Sequence, residues 1–177
     1  MSERQVAEFE SLLQTLASAG RRPGTEDLEK MAETLGRMFG VAPDEVAILA
    51  LHQKTKSLKF IVPEKLSIMG SIPLTSTNAL AARTARDRKG EIINNFSSAR
   101  HASVFEGVPL GRTRGETIHK IVSAPITNGS GVLGVIQISR KGHSVAKCGP
   151  DFTPKDLRDL TSLSPSLEQF LKLCQGE

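Results

Sequence analysis

Apolar positions along the chain change period several times, and those changes divide it into elements. From Glu3 to Ser18, Val6, Phe9, Leu12, Leu13 and Leu16 recur at helical spacing. Gly20-Arg21-Arg22-Pro23-Gly24 then interrupts the chain. Thr25 is placed to cap a second helix, whose stripe is Leu28, Met31, Leu35 and Met38 and whose stop is Gly40. Val46–His52 and Leu58–Val62 read as strands of a hairpin across the polar turn 53–57, with Pro63 closing the second. A third helix is expected over Asn78–Asp87, ended by Gly90, and a short strand over Glu91–Asn94. Phe96 to Thr117 shows no firm period and reads as loop with one short helix around Ala102–Glu106.

His119–Thr127 and Ser130–Arg140 are strand-like and joined by Asn128-Gly129, a dipeptide that suits a tight type I′ turn. Pro125 inside the first of them argues for an edge or a bulge. Thr153, Pro154 and Asp156 form a capping-box start for a last helix with the stripe Leu157, Leu160, Leu163, Leu167, Phe170 and Leu171. Pro165 should kink or split that helix. Hairpin-connected strands with helices gathered before and after predict an α+β layered domain with an antiparallel sheet of five or six strands.

Alternation assigns the last hairpin two unlike faces. Val122, Ala124, Ile126, Val132, Ile136 and Ile138 form a dry face that should meet the terminal helices. Ser123, Thr127, Gln137 and Ser139, among Ile121, Leu133 and Val135, form a mixed one. That face is either a pocket wall, with Ser123 and Gln137 orienting a ligand, or a strand end touched by solvent.

Composition narrows the function. Among 177 residues there are seven Phe, no Trp and no Tyr, few platforms for stacking single-stranded bases, so nucleic-acid binding is not expected. The net charge of +4 has one location. Between Arg83 and Lys120 lie eight basic and four acidic residues; taking these from totals of 23 and 19 leaves 15 of each elsewhere. This stretch is either a solvated basic face or an attractor of an anionic ligand or partner, with Arg83 and Arg86 on the third helix as candidates for a phosphate. Cys148 and Cys174 are too few for a disulfide framework and read as reduced thiols of a cytoplasmic protein. The four histidines are scattered without ligand-spaced partners, so no metal is expected. No phosphate loop, catalytic triad or membrane-length apolar run is visible. The expectation is that the chain is not an enzyme; its cofactor is unknown.

Three stretches carry a family resemblance. KIVSAPITNGSGVLGVIQISRKG at Lys120–Gly142 resembles the final hairpin of GAF domains. Ile72-Pro73-Leu74, the small-residue run Ala79, Leu80, Ala81, Ala82, and Gly90-Glu91-Ile92-Ile93-Asn94 resemble the family's middle. Phe152-Thr153-Pro154-Lys155-Asp156-Leu157 resembles the entry to its last helix, so the similarity covers roughly residues 26–173. It implies that terminal helices cover one sheet face and that the third helix and the irregular segment enclose a small-molecule pocket on the other. Pro at the position of Pro125 is common in the family. Asn94, Asn95 and Phe96 fall where the family often places ligand contacts, although Asn equally suits a turn. His101 and Phe105 would line the pocket wall or pack ordinarily.

The residues do not match three ligand subclasses: the Asn-Lys…Phe…Asp-Glu pattern of cyclic-nucleotide members is absent, and Cys148 and Cys174 lie past the pocket strands that tetrapyrrole-binding and methionine-sulfoxide-reductase members would need. The expected function is a sensory module that binds a small ligand, with an anion favoured by the basic stretch, and signals through its terminal helices. The alternative is a ligand-free dimerisation or protein-interaction module. Residues 1–24 are expected to be a dimerisation or packing helix with its linker, and 25–177 the GAF domain. A homodimer through the terminal helices is expected on either reading, with output through a separate protein.

Overall fold

The computed structural model describes residues 1–96 and 116–176. The elements are α1 (Glu3–Ser18), α2 (Thr25–Phe39), β1 (Val46–His52), β2 (Ser57–Val62), β3 (Ser71–Pro73), α3 (Leu80–Asp87), β4 (Glu91–Ile93), β5 (Thr117–Asn128), β6 (Gly131–Gly142), α4 (Pro154–Ser162) and α5 (Ser164–Gln175). The six strands pair antiparallel in the order β3-β2-β1-β6-β5-β4. His101 and Phe105 lie outside the described residues.

The sheet separates two apolar layers. On one face Val46, Ile48, Ala50, Val62, Val122, Ala124, Ile126, Ile136 and Ile138 pack with buried residues of α1, α2, α4 and α5. On the other, Leu49, Leu51, Leu58, Phe60 and Val135 pack with Ala79, Ala81, Ala82 and Ala85 at and along α3. The alanines let this short helix lie close to the strands.

Val132 departs from the expected alternation: it joins the α3 side, while Leu133 packs against the helical face. The register shows why. Ile126 pairs with Gly134 and Thr127 with Val132, so Leu133 is an extra residue, a bulge that reverses alternation on its turn side. The hairpin turn also differs from type I′, since neither Gly129 nor Ser130 has positive φ. Asn128 instead holds the turn with its side chain, Oδ1 accepting from the backbone N–H groups of Ser130 (2.9 Å) and Gly131 (3.0 Å).

Pro125 is resolved by β4 ending early. Pairing with β4 covers Ile121 to Ser123 only, so among the described residues the outer edge of β5 is bare from Ala124 onward. A missing N–H costs no ladder bond there. Two residues on, Ser164 covers the edge: its hydroxyl accepts from Thr127 N (2.9 Å) and donates to Thr127 O (3.2 Å).

Helix ends follow their side chains. Thr153 and Asp156 form the expected capping box, Gly40 stops α2 at φ +65°, and Pro165 lies in the first turn of α5, which follows a break at Leu163. At the start of α2 the N-cap is Gly24 rather than Thr25. Asp27 Oδ2 accepts from Gly24 N (2.8 Å) and from Arg21 Nη1 (2.7 Å). No described helix is long and apolar enough to cross a membrane.

Candidate functional site

The side of the sheet under α3 carries two buried polar residues of the central strands, Ser123 and Gln137. Ser123 is 0% and Gln137 4% exposed, and Thr84 on α3, at 2%, lies above them. Gln137 Nε2 donates to Ser123 Oγ at 3.3 Å, Ser123 Oγ lies 2.7 Å from Thr84 Oγ1, and Thr84 Oγ1 donates to Leu80 O at 3.0 Å. Each hydroxyl has one hydrogen to give. Thr84 spends its own on Leu80, so Ser123 donates to Thr84 and accepts from Gln137. The chain of bonds therefore runs one way, from the sheet into α3.

Gln137 makes that one side-chain hydrogen bond among the described residues, leaving Oε1 and a second amide hydrogen available. Ser139, two residues on, donates to Glu45 O at 3.3 Å. The expectation that Ser123 and Gln137 lie together on a face distinct from Val122, Ile136 and Ile138 matches this placement. Their role as ligand contacts is a separate matter.

The remaining candidates take other positions. Arg83 forms an ion pair with Glu91 on β4, while its Nε is buried with no hydrogen-bond partner. Arg86 Nη1 donates to Leu74 O and Ser76 O, pinning α3 to the segment before it. Asn94 faces away from the α3 side: its Nδ2 donates to Phe152 O (3.0 Å) and its Oδ1 accepts from Phe152 N (2.9 Å). Its amide thus mimics a paired strand residue and ties β4 to the entry of α4. Phe96 is 2% exposed and packs with Leu80 and Ile121, so it is part of the core beside α3.

Thr84 and Arg140 were not among the sequence candidates. A signal existed for Thr84, the one hydroxyl among buried α3 residues that are otherwise Leu80, Ala81, Ala82 and Ala85. Arg140 lies with its guanidinium carbon 4.7 Å from the centre of the Phe152 ring and bonds Gly40 O, contacts that pattern alone does not encode.

Neither thiol is poised as a nucleophile. Cys148 is buried and donates to Val145 O, and burial pushes the Cys174 thiol up to about 12. Among the described residues no group of three His, Cys, Asp or Glu could hold a metal. Two grooves are lined by described residues. One lies between β4 and α4, bounded by Ile92, Leu157 and Arg158; the other lies between α2 and the segment after β2. Ser123 and Gln137 line neither.

Comparison with known proteins places this arrangement. A family model described as GAF domain matches residues 25–171. The GAF domain of an Acinetobacter phosphoenolpyruvate-protein phosphotransferase superposes with a TM-score of 0.65 at 16% identity, covering 99% of this chain and 98% of that one. Free methionine-R-sulfoxide reductase from Neisseria meningitidis, solved with its substrate, gives 0.59 at 13% identity over 99% and 95%. A type II free methionine-R-sulfoxide reductase from Thermoplasma acidophilum gives 0.55 at 13% identity over 91% and 95%. No curated protein sequence matches the chain. The reductases correct one expectation. The sequence reading excludes catalysis for want of a cysteine or metal constellation, yet the fold is shared with enzymes, so an enzymatic role is open to it.

Proposed function

The chain belongs to the GAF domain family, a family of sensory and regulatory domains, and on that premise we propose that it binds a small anionic molecule on the α3 side of its sheet. Ser123, Gln137 and Arg83 would recognise the molecule, and the helices at the two chain ends would transmit its binding. The observation that carries this reading is the polar seam. On the opposite face the neighbouring positions Val122, Ala124, Ile126, Ile136 and Ile138 are all apolar, whereas here three polar side chains are buried together and Gln137 keeps unused hydrogen-bonding capacity. A polar group retained in a buried layer costs stability unless it is paired, so an incompletely paired amide is the kind of group that orients a ligand. Arg83 supplies positive charge and an unpartnered buried N–H on the neighbouring helix.

Transmission has a short path. Gln137 lies between Ile136 and Ile138, which pack in the same cluster as Leu167, Phe170 and Leu171 of α5. A ligand that moves Gln137 strains the strand segment against which α5 is seated.

The test is thermal unfolding of the full chain against a panel of small phosphates and carboxylates. A compound present at about a hundred times its Kd adds roughly 2.7 kcal/mol to the folded state and must raise the midpoint. That rise should fall sharply in Gln137→Leu. The absence of any stabilising compound overturns the proposal. Mass analysis of the recovered compound separates sensing from catalysis, since only an enzyme returns it changed.

A further inference from the structure

A second feature lies on the helical side of the sheet. Between α2 and the 3-10 segment Glu64–Met69 runs a groove of about 290 Å³. Its floor is apolar, from Leu28, Ala32 and Val62, each already less than a tenth exposed. Its rim is acidic, from Glu29, Glu33 and Glu64, with Lys65 as the one cation lining it. None of those three glutamates has an ion-pair partner among the described residues. Glu29 and Glu33 stand one turn apart on α2, a like-charge spacing that destabilises a helix. The outer surface of α2 therefore carries charge that folding alone does not require.

The apolar surface continues beyond the groove. Ile68 is 88% and Met69 42% exposed, two of the three large hydrophobic side chains left open among the described residues. In a 3-10 helix side chains three apart eclipse one another, so Ile68 stands directly along from groove-lining Lys65. A cavity of this size falls just below the range that encloses a whole small-molecule ligand, about 300–1,000 Å³. It fits an anchoring side chain from a larger partner.

We infer that this groove docks a basic amphipathic segment of a partner protein. One aliphatic side chain enters between α2 and the 3-10 segment, and flanking Lys or Arg residues meet Glu29, Glu33 and Glu64. Ile68 and Met69 extend the apolar seat beyond the anchor. Charge complementarity selects this occupant: the rim repels an acidic segment, and a purely polar one leaves the floor and Ile68 uncovered. The site lies on the opposite face from the seam under α3 and does not depend on that reading.

The experiment titrates the isotopically labelled full chain with a synthetic amphipathic peptide of Lys and Leu and follows amide chemical shifts. Shifts are expected at Glu29, Ala32, Glu33 and Glu64 to Ile68, weakening as salt is raised. The double charge reversal Glu29→Lys with Glu33→Lys should weaken binding about tenfold, as expected for losing two exposed ion pairs and gaining repulsion. Both glutamates are exposed, so an unchanged melting temperature verifies that this variant folds. Ile68→Ser should weaken binding about threefold by removing apolar area. The inference is overturned if the shifts map elsewhere, if peptides with Glu for Lys or Ser for Leu bind equally, or if charge reversal has no effect. It is also overturned if the free chain perturbs the same amides as its own concentration rises, which would make a second copy the occupant.

Discussion

A buried hydroxyl must have somewhere to donate, and at Ser123 that requirement fixes the direction of every bond around it. Thr84 gives its hydrogen to Leu80 O, so Ser123 gives to Thr84 and only its lone pairs remain for Gln137. Alternation along β5 and β6 assigned Ser123 and Gln137 to a common side, because burial in a pleated sheet follows a period of two. It failed at Val132, because an extra residue at Leu133 is a matter of pairing register and leaves no mark in one strand's pattern. Asp27 shows the same limit. Its role as the partner of Gly24 and Arg21 depends on a chain reversal six residues long. Those hydrogen bonds, from the Arg21 guanidinium first and the Gly24 N–H second, hold its carboxyl below the ordinary carboxylate range. A depressed folded-state value means the stabilisation is complete above the unfolded value, about 3.9, and fades as pH falls through the folded one. Asp27→Asn should therefore lower stability by about 1 kcal/mol at neutral pH. As pH falls below the unfolded value and on through the depressed folded one, the two proteins should converge as the wild-type carboxyl protonates. Urea midpoints across that range measure the difference; a gap that stays constant with pH would contradict it.

Elements were legible where one side chain sets an end. The Thr153, Pro154 and Asp156 start of α4, the Gly40 stop of α2 and the Pro165 break between α4 and α5 each stand on local geometry that tertiary packing leaves alone. β3 was missed because three residues at a sheet edge carry no period, and its pairing with β2 exists only in the assembled sheet. The approach of elements to one another was equally hidden. Gly134 reads as one small residue in a strand, yet it lies where β1 and α5 both close on β6. A Cβ there would stand 2.2 Å from Leu49 O and 2.9 Å from Leu171 Cδ1. Leu171 can rotate, but the Leu49 carbonyl is held by a strand paired with β6 from Val46 to Ala50. Gly134→Ala should cost about 3 kcal/mol, at the upper end for overpacking, because the obstacle is backbone. Gly129→Ala, in the hairpin turn with nothing within 4 Å and no positive φ, should stay within about 0.5 kcal/mol. Comparable losses at both positions in chemical denaturation would refute the argument from close approach.

At the scale of the molecule the open question is whether α1 stands apart as a packing helix or belongs to the core. The sequence separates it, because Gly20 to Gly24 breaks the chain and the family model begins at residue 25. The surplus apolar stripe on the end helices was also the reason to expect a dimer. In the structure that stripe is used within one chain: Phe9, Leu13 and Leu16 are 0%, 2% and 3% exposed in the same cluster as Leu167, Phe170 and Met31. The Ser2 and Gln5 capping box and the 3.4 Å ion pair from the Met1 amine to Asp159 fix the start of α1 beside α4. Each buried side chain of this size contributes about 1.5–3 kcal/mol, so the three together approach the whole stability of a domain, about 5–15 kcal/mol. Deleting residues 1–20 also uncovers apolar surface on α2 and α5. The truncated chain should lose its cooperative urea transition and bind a hydrophobic dye, or regain order only by associating with copies of itself. A monomer with the original midpoint would show that α1 is an appendage; loss of the transition would place it, with α5, in the core of the domain.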